Sequence, residues 1–564
     1  LGTLRRIFFL FIFIFIISPV WATNYYVSQS GAGTMDGSSA ANAWAGWSSI
    51  NWDTDGAGPD TGVGAGDTLY VMGTIRAASF SVGGYGLADD NRITILSYPA
   101  TPGKLWQGKE LPSGDWSGPD AYGAYSQTCV GSYSVYAYEW DIDPWINTSL
   151  TVMTVVPDAT WTGTGLYYLD DGNNIAYYKP TSSVKNVTAR SGTCRTLEFT
   201  SKSYITFSGL TISNQFKATS SSYLILEDMD ITNQVSFYTA CNNGIIRRCI
   251  IHDGSNGIYF INQSGPDSEN HNNWMVENNI IYNMQGNSDS HGIGIQGGTG
   301  NIFQNNIIYN CGSGITFWNQ TTQTMKDNTI RYNHIYHMGY YGDGDYRGIE
   351  FSGETGDSDL TTGNLIYYNI IEDCLNAGIR IKMGIPTTGY SIKAMNNVIS
   401  DCYYSFVILP TNYESYEVGA YTRNNISYSP KTGGWHVYIS SLGVTYNLSF
   451  DNNIYYGDGK FDYEGTTWTT LADWKINMSP QDANSLSTDP LFLSASNFHL
   501  QVGSPAINAG VNVGLTTDYA GNSVPQGAGF DIGAYEFLGV NSLAVGAGSN
   551  SITIGGGSQS ISVW

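Results

Sequence analysis

A polar pair containing Asn, followed by two or three apolar residues, recurs seven times between Trp274 and Tyr455. The pairs are Asn278-Asn279, Asn305-Asn306, Asn333-His334, Tyr368-Asn369, Asn396-Asn397, Asn424-Asn425 and Asn452-Asn453. Their second residues step by 27, 28, 35, 28, 28 and 28 positions. So steady a period means stacked, repeated units, a solenoid. The apolar runs are short, β-branched and aromatic, and are separated by Gly, Asn, Asp and Ser. No window carries the sustained 3.6-residue periodicity of helical repeats. Short strands joined by turns, one coil per ~28 residues, stack as a parallel β-helix. Asn suits the tight corner, because its side chain bonds backbone and stacks on the Asn of the next coil.

Each period also carries a strand phrase, as in Gly292-Ile293-Gly294-Ile295, Gly314-Ile315-Thr316-Phe317, Gly348-Ile349-Glu350-Phe351 and Gly378-Ile379-Arg380-Ile381. Alternation predicts Ile293, Ile315, Ile349 and Ile379 stacked inside. The Gly and the residues one and three after each Ile then point outward. Two enlarged corners precede these strands on alternate coils. They hold Asn287-Ser288-Asp289-Ser290-His291 and Gly342-Asp343-Gly344-Asp345-Tyr346-Arg347. Loops growing at one corner of a regular scaffold are where sites are built.

The flanks divide the chain further. Residues 1–22 read as a secretory signal: Arg5-Arg6, an apolar run from Ile7 to Ile17, then Val20-Trp21-Ala22. Residues 23–100 are expected to hold an N-terminal cap and first coils, with Ala40–Ile50 as a short capping helix. Residues 101–190 break the repeat with dense Trp and Tyr and read as an inserted aromatic-rich β subdomain. Coils occupy 191–460, a closing segment 461–537 and a Gly/Ser-rich tail 538–564. The chain has 24 Lys and Arg against 47 Asp and Glu. Without Arg5 and Arg6 the balance is 22 − 47 = −25, which argues against nucleic acid or anionic membranes as partners. Of seven cysteines, Cys311, Cys374 and Cys402 share one repeat position and read as small buried residues. A Cys374–Cys402 disulfide is left open.

The opening Asn24-Tyr25-Tyr26-Val27-Ser28-Gln29-Ser30-Gly31 resembles the start of secreted right-handed parallel β-helix proteins of the pectate-lyase-like superfamily. Asp489-Pro490-Leu491-Phe492, Gly503-Ser504-Pro505-Ala506-Ile507-Asn508-Ala509-Gly510 and Asp531-Ile532-Gly533-Ala534-Tyr535-Glu536 resemble the closing segment of bacterial members. The resemblance implies an all-β, right-handed solenoid, extracellular or periplasmic. A monomer is expected, with no membrane contact beyond the signal peptide.

Stacked coil by coil, the outward positions line up as Tyr259, Gly294, Thr316, Glu350, Arg380, and beside them Gln296, Trp318, Ser352, Lys382. Glu350 would pair with Arg380, one coil of about 4.8 Å away. An exposed pair of this kind contributes only about 0–1 kcal/mol. Yet charges are scarce here, and both signs gather on one face beside the enlarged corners. His291 and Arg347 are expected at the rim, with Trp318, Gln296 and Tyr259 as sugar contacts. Asp289, Asp343 and Asp345 are weak candidates for holding calcium; no organic cofactor is expected.

Two chemistries fit these residues. A lyase acting on a uronic-acid polymer must neutralise a carboxylate, remove the neighbouring proton and protonate the leaving oxygen. Arg380, Lys382, Arg347 or His291 would serve. An inverting glycosidase needs two carboxylates, for which Glu350 and Asp289, two coils apart, are about 9–10 Å from each other by coil spacing. Ser290-His291-Gly292 and Arg380-Ile381-Lys382 are similar to motifs of polygalacturonases, where the His supports catalysis and the Arg and Lys bind the carboxylate. In that family the motifs lie about one coil apart. Here His291 and Arg380 are 89 residues apart, and no catalytic Asp pair precedes His291. The expectation is a polysaccharide-active protein, a lyase before a hydrolase, with a non-catalytic glycan binder as the third alternative.

Overall fold

A computed structural model describes residues 22–539, except 55–61, 78–79, 108, 112–115, 122–123, 129–135, 141–146, 154–161, 165, 171–174, 184–185, 191–196, 263–269, 285–289, 320–322, 340–345, 354–361, 383–389, 410–417 and 441–445. The signal and tail expected from sequence lie outside these residues, or nearly so. From Leu197 on, each coil contributes one strand to each of three long sheets: sheet I with 14 strands, and sheets II and III with 12 each. In one early coil these are Ile205–Ser208, Thr211–Ile212 and Phe216–Thr219. Neighbouring coils pair in parallel throughout, as in Ile315↔Ile349 and Ile349↔Ile379. The chain is thus a parallel β-helix.

The corner between sheets I and II is a continuous amide ladder. Asn279 Nδ2 donates to Asn306 Oδ1 at 2.9 Å, Asn306 to Asn333 at 2.9 Å, and Asn333 to Asn369 at 3.0 Å. It continues through Asn397 and Asn425 to Asn453. Each Nδ2 also donates to a carbonyl of the preceding coil, for example Asn397 to Ile366 O at 2.9 Å. Each Oδ1 also accepts the neighbouring backbone N–H, as from Asn369 to Asn397. All seven side chains are buried with their bonding capacity used. The residue before each ladder Asn has positive φ, from Asn278 at 57° to Asn452 at 51°, a conformation Asn tolerates better than most residues. One expectation is corrected: the ladder member in the third coil is Asn333, not His334. His334 pairs with Ile307 and Ile370 as the first strand residue of sheet II. A second, shorter ladder, Asn301–Asn328–Asn364, holds the corner between sheets III and I.

Ile293, Ile315, Ile349 and Ile379 are fully buried, as the alternation predicts. The glycine before each is not outward, however. A Cβ at Gly378 would lie 2.4 Å from Ile399 Cγ2, and one at Gly314 2.6 Å from Ile335 Cγ2. The chain turns inward there, and the sheet II isoleucine fills the space. Coils on the two sides of residues 101–190 are continuous: Ile93–Ser97 pairs directly with Ile205–Ser208. Lys109–Arg190 contributes a separate seven-stranded sheet, mostly antiparallel, between successive coils. The expected capping helix at 40–50 is instead two 3₁₀ turns, Ala40–Asn42 and Trp47–Ser49, split by a strand and by Gly46 at φ 75°. Trp44 and Trp47 bury against the first coils. Cys374 and Cys402 are buried free thiols, so no disulfide joins them, and Cys241, Cys249 and Cys311 are likewise free and buried.

At the other end, helix Leu471–Asn477 places Trp474 on Phe461. Asp482 ends the ladder, accepting from Asn453, Trp474, Tyr455 and Ser485. The following segment runs outside sheet II, packing Phe492, Phe498, Leu500, Ala506 and Ile532 on Ile370, Val398, Ile426 and Ile454. Among the described residues no helix is long and apolar enough to cross a membrane.

Two outcomes follow from ladder and core. Asn397→Ala strands a backbone N–H and a carbonyl, each unsatisfied group costing about 1–3 kcal/mol; the urea midpoint should fall accordingly, and Ile349→Ala should cost about 2–5 kcal/mol. Burial also holds His271 down to about 4 and His436 down to about 3, from 6.5. Their folded values lie below the unfolded one, so the folded state binds fewer protons in between. Stability should therefore decline as pH falls from ~6.5 towards ~3–4, and His436→Gln should flatten that slope in pH-dependent denaturation.

Candidate functional site

The outer face of sheet III is the best-furnished surface. Its central column runs Tyr259, Gly294, Thr316, Glu350, Arg380, Val407, Tyr438, Asp462, fixed residue by residue by the strand register. Beside it lie Gln296, Trp318, Ser352, Lys382 and Leu409. Chain length varies at both edges of this sheet. The enlarged corners at 285–290 and 339–346 precede its strands, and connections such as 354–363 and 383–391 follow them.

Glu350 does not make the solvent-exposed pair expected from sequence. It is 1% exposed and held between two guanidinium groups. Arg380 Nη2 lies 2.7 Å from Glu350 Oε1, and Arg347 Nη1 bonds Glu350 Oε2. Arg347 is 4% exposed, so it is a wall of the site and not its rim. Burial lowers the Arg380 guanidinium below its usual value, and Glu350 opposes that shift. Arg380→Ala should therefore cost stability, because the carboxylate it serves is inside the protein.

Two unused polar atoms flank Glu350 along this column. Thr316 Oγ1 and Arg380 Nε are buried without a hydrogen-bond partner, while both Glu350 oxygens are held by guanidinium groups. Buried polar atoms are nearly always satisfied, and a pair of exceptions in one column needs an explanation such as a bound ligand or water.

An aromatic wall stands beside this column. His291 lies against Trp318 (5.5 Å, 29°) and Tyr259 (6.2 Å, 25°), and Tyr259 against Trp318 (5.6 Å, 29°). Gly294 makes room: a Cβ there would lie 2.9 Å from both His291 and Tyr259 ring carbons. The structure thus brings Tyr259, His291, Trp318, Arg347, Glu350 and Arg380 together. Lys382, half-buried, sits two residues beyond Arg380 on the same face. Gln296 is 4% exposed and its Oε1 accepts the Asn262 N–H at 3.3 Å. Asp289, Asp343 and Asp345, the calcium candidates, lie outside the described residues. Among the described residues no group of three or more His, Cys, Asp or Glu side chains is placed to hold a metal.

Sequence reasoning missed a second aromatic group further along. Tyr404 and Trp435 stack at 5.0 Å and 20°, with Tyr403 and Tyr438 packed around them. The Gly-Ile phrase that revealed earlier strands is here Ser405-Phe406 and His436-Val437, so the pattern ends before these two coils. The facing Ile of sheet II becomes Ser427, which bonds Ser405 Oγ and His436 Nδ1 at 2.6 Å each.

Residues 267–455 match the family described as right handed beta helix region. No curated protein matches the chain. Among solved structures, XylC in complex with xylose shares 13% identity and a TM-score of 0.57, covering 92% of this chain and 98% of its own. Pectate lyase Pel9A shares 13% identity with a TM-score of 0.45, over 91% and 96%. A GH136 lacto-N-biosidase from Eubacterium ramulus shares 14% with a TM-score of 0.40, over 78% and 67%. At such identities the likeness concerns the fold. The chain has the fold of a right-handed parallel β-helix.

The buried trio sets a clear expectation for stability. Glu350→Ala leaves two guanidiniums together inside the protein and should cost about 3–5 kcal/mol. Arg380→Ala leaves Glu350 its Arg347 partner and should cost less, about 1–3 kcal/mol. Denaturant midpoints of the two variants check that order.

Proposed function

We propose that this protein binds an acidic polysaccharide along the outer face of sheet III and cleaves it by β-elimination. The observation that supports this most is the Thr316–Glu350–Arg380 column. Two cations share one anion there, leaving a net positive site with unused donors and acceptors. A uronate carboxylate against Arg380 would take a charge-assisted bond from its unpartnered Nε. Neutralising that carboxylate acidifies the C–H beside it. Lys382, in its neutral form, would take the proton. The electron pair left behind forms the new carbon–carbon double bond as the bond to the glycosidic oxygen breaks, and that oxygen leaves with a proton from water. Arg347 positions Glu350, and Glu350 positions Arg380. The apolar leader and acidic mature chain support action outside the cytoplasm.

A second reading is glycan binding without cleavage. It draws support from Glu350, whose two oxygens are each engaged by a guanidinium. That engagement also weighs against Glu350 as one of the free carboxylates an inverting hydrolase requires.

A panel of polygalacturonate, alginate, hyaluronan and neutral xylan tests the proposal. Unsaturated, ultraviolet-absorbing products are expected from an acidic polymer. Reducing ends alone would show hydrolysis, and binding with no product would favour the second reading. On the substrate found, Arg380→Gln should lower turnover at least about a hundredfold. Arg380→Lys should recover only part, because an ammonium lacks the planar donor array. Full activity in Arg380→Gln would overturn the assignment.

A further inference from the structure

The outer face of sheet III continues past Arg380, and its far half is furnished for a ligand. Along the central column the strand register steps from Arg380 to Val407 and then to Tyr438. Two coils in this direction is about 10 Å. Two coils in the opposite direction, through Glu350 to Thr316, reach the strand that carries Trp318. Arg380 thus lies between two aromatic groups, Tyr259–His291–Trp318 on one side and Tyr404–Trp435–Tyr438 on the other.

The second group differs from a packing ladder in three respects. Its rings are half-exposed, where core rings such as Phe317 and Phe351 are fully buried. Lys460 Nζ lies over the Trp435 ring at 4.5 Å, so a cation is held on the aromatic surface. The Trp435 Nε1 donor is buried and has no hydrogen-bond partner, although buried indole N–H groups normally find one. Asp462, the nearby carboxylate, is committed to the closing hairpin, accepting from Gly465 N–H and Thr467 Oγ1. What remains is an aromatic face with an adjacent cation and an unused donor. That combination suits a pyranose ring bearing a carboxylate: its apolar face packs on the half-exposed rings of Tyr404 and Tyr438, Lys460 meets the charge and the indole N–H meets an oxygen.

We propose that Tyr404, Trp435, Tyr438 and Lys460 form a distal sugar subsite. On this view the protein acts on internal stretches of a long acidic polymer that lies lengthwise over the coils with Arg380 at its middle. This rests on the acidic-polysaccharide function proposed above and adds the length of chain recognised. One coil spacing is close to the length one pyranose adds to an extended chain, so a chain segment can stay in register with successive coils. A remote subsite contributes binding and leaves the chemistry at Arg380 untouched, so its loss should appear in KM and not in kcat.

The test uses the full chain, the acidic polymer that the parent cleaves or binds in the panel, and di- to hexasaccharides prepared from that polymer. Trp435→Ala should raise KM, or Kd for a binder, about tenfold for polymer and hexasaccharide. It should leave kcat and the constants for the shortest recognised oligosaccharide unchanged. Lys460→Gln should act in the same direction, with a weaker dependence on salt. Thermal unfolding of each variant accompanies the kinetics. A lowered melting temperature in Trp435→Ala with unchanged length dependence in both Lys460→Gln and Tyr438→Ala would overturn the subsite and make the cluster a packing device. Equal constants for parent and all three variants at every length would overturn it as well, while leaving the Arg380 site standing. A parent that neither binds nor cleaves any acidic polysaccharide would instead overturn the function on which the subsite rests.

Discussion

The amide ladder at the corner of sheets I and II is the constraint on which the rest of this structure depends. A parallel sheet alone tolerates sliding, since a shift by two residues restores the same alternation of faces. The ladder removes that freedom. An Asn must meet the Asn of the next coil at about 3 Å, donate to a carbonyl behind it and accept an N–H, all at one turn. A slipped coil would leave buried donors and acceptors empty. Insertions are therefore pushed to the other corners. The chain grows by eight or nine residues between Asn333 and Asn369 relative to its neighbours, yet Asn333 and Asn369 still bond directly.

Fixed register is what turns a repeat into a site. Because Thr316, Glu350 and Arg380 occupy equivalent places on consecutive coils, their side chains are delivered to one line at coil spacing. Nothing about a β-helix requires those residues to be polar, and other outward columns carry Tyr or Ile. Packing and polarity are also coupled between sheets. Gly378 is Gly because Ile399 fills its corner. Where the corresponding residues become Ser405 and His436, the isoleucine partner becomes Ser427 and the three share hydrogen bonds. The core thus changes from apolar contact to a satisfied polar cluster without a change of fold.

Architecture was legible in the sequence because it is written in periods. The Asn column, the inward isoleucines and the outward order from Tyr259 to Arg380 all follow from spacing and alternation. The one-residue slip at His334 arose because Asn333-His334 looks like the other polar pairs, whereas hydrogen bonding requires an amide at the ladder position. Burial was not legible. Alternation gives direction relative to the sheet, but whether an outward residue meets water depends on what returns over it. Arg347 returns over Glu350, and no spacing rule shows this. The distal aromatics escaped for a related reason: Ser405 and His436 replace the glycine that marks the strand phrase.

The buried trio also bears on how an acidic chain could accept an acidic polymer. The formal net charge is −23, so bulk attraction cannot draw a polyanion in. At physiological ionic strength, charges more than about 8 Å apart are largely screened from one another. A ligand on the outer face of sheet III is then governed by its nearest groups, Arg380, Lys382 and Lys460, more than by the distant acidic surface. Desolvation strengthens those few contacts, since a guanidinium that is mostly withdrawn from water interacts with a carboxylate through a lower effective dielectric. Glu350 makes this arrangement tolerable when no ligand is bound. It offsets part of the cost of holding two guanidiniums away from water, and it fixes Arg380 in position before a ligand arrives. Recognition in such a site would come from preorganised local charge on a repellent background, which favours discrimination between polyanions over sheer affinity.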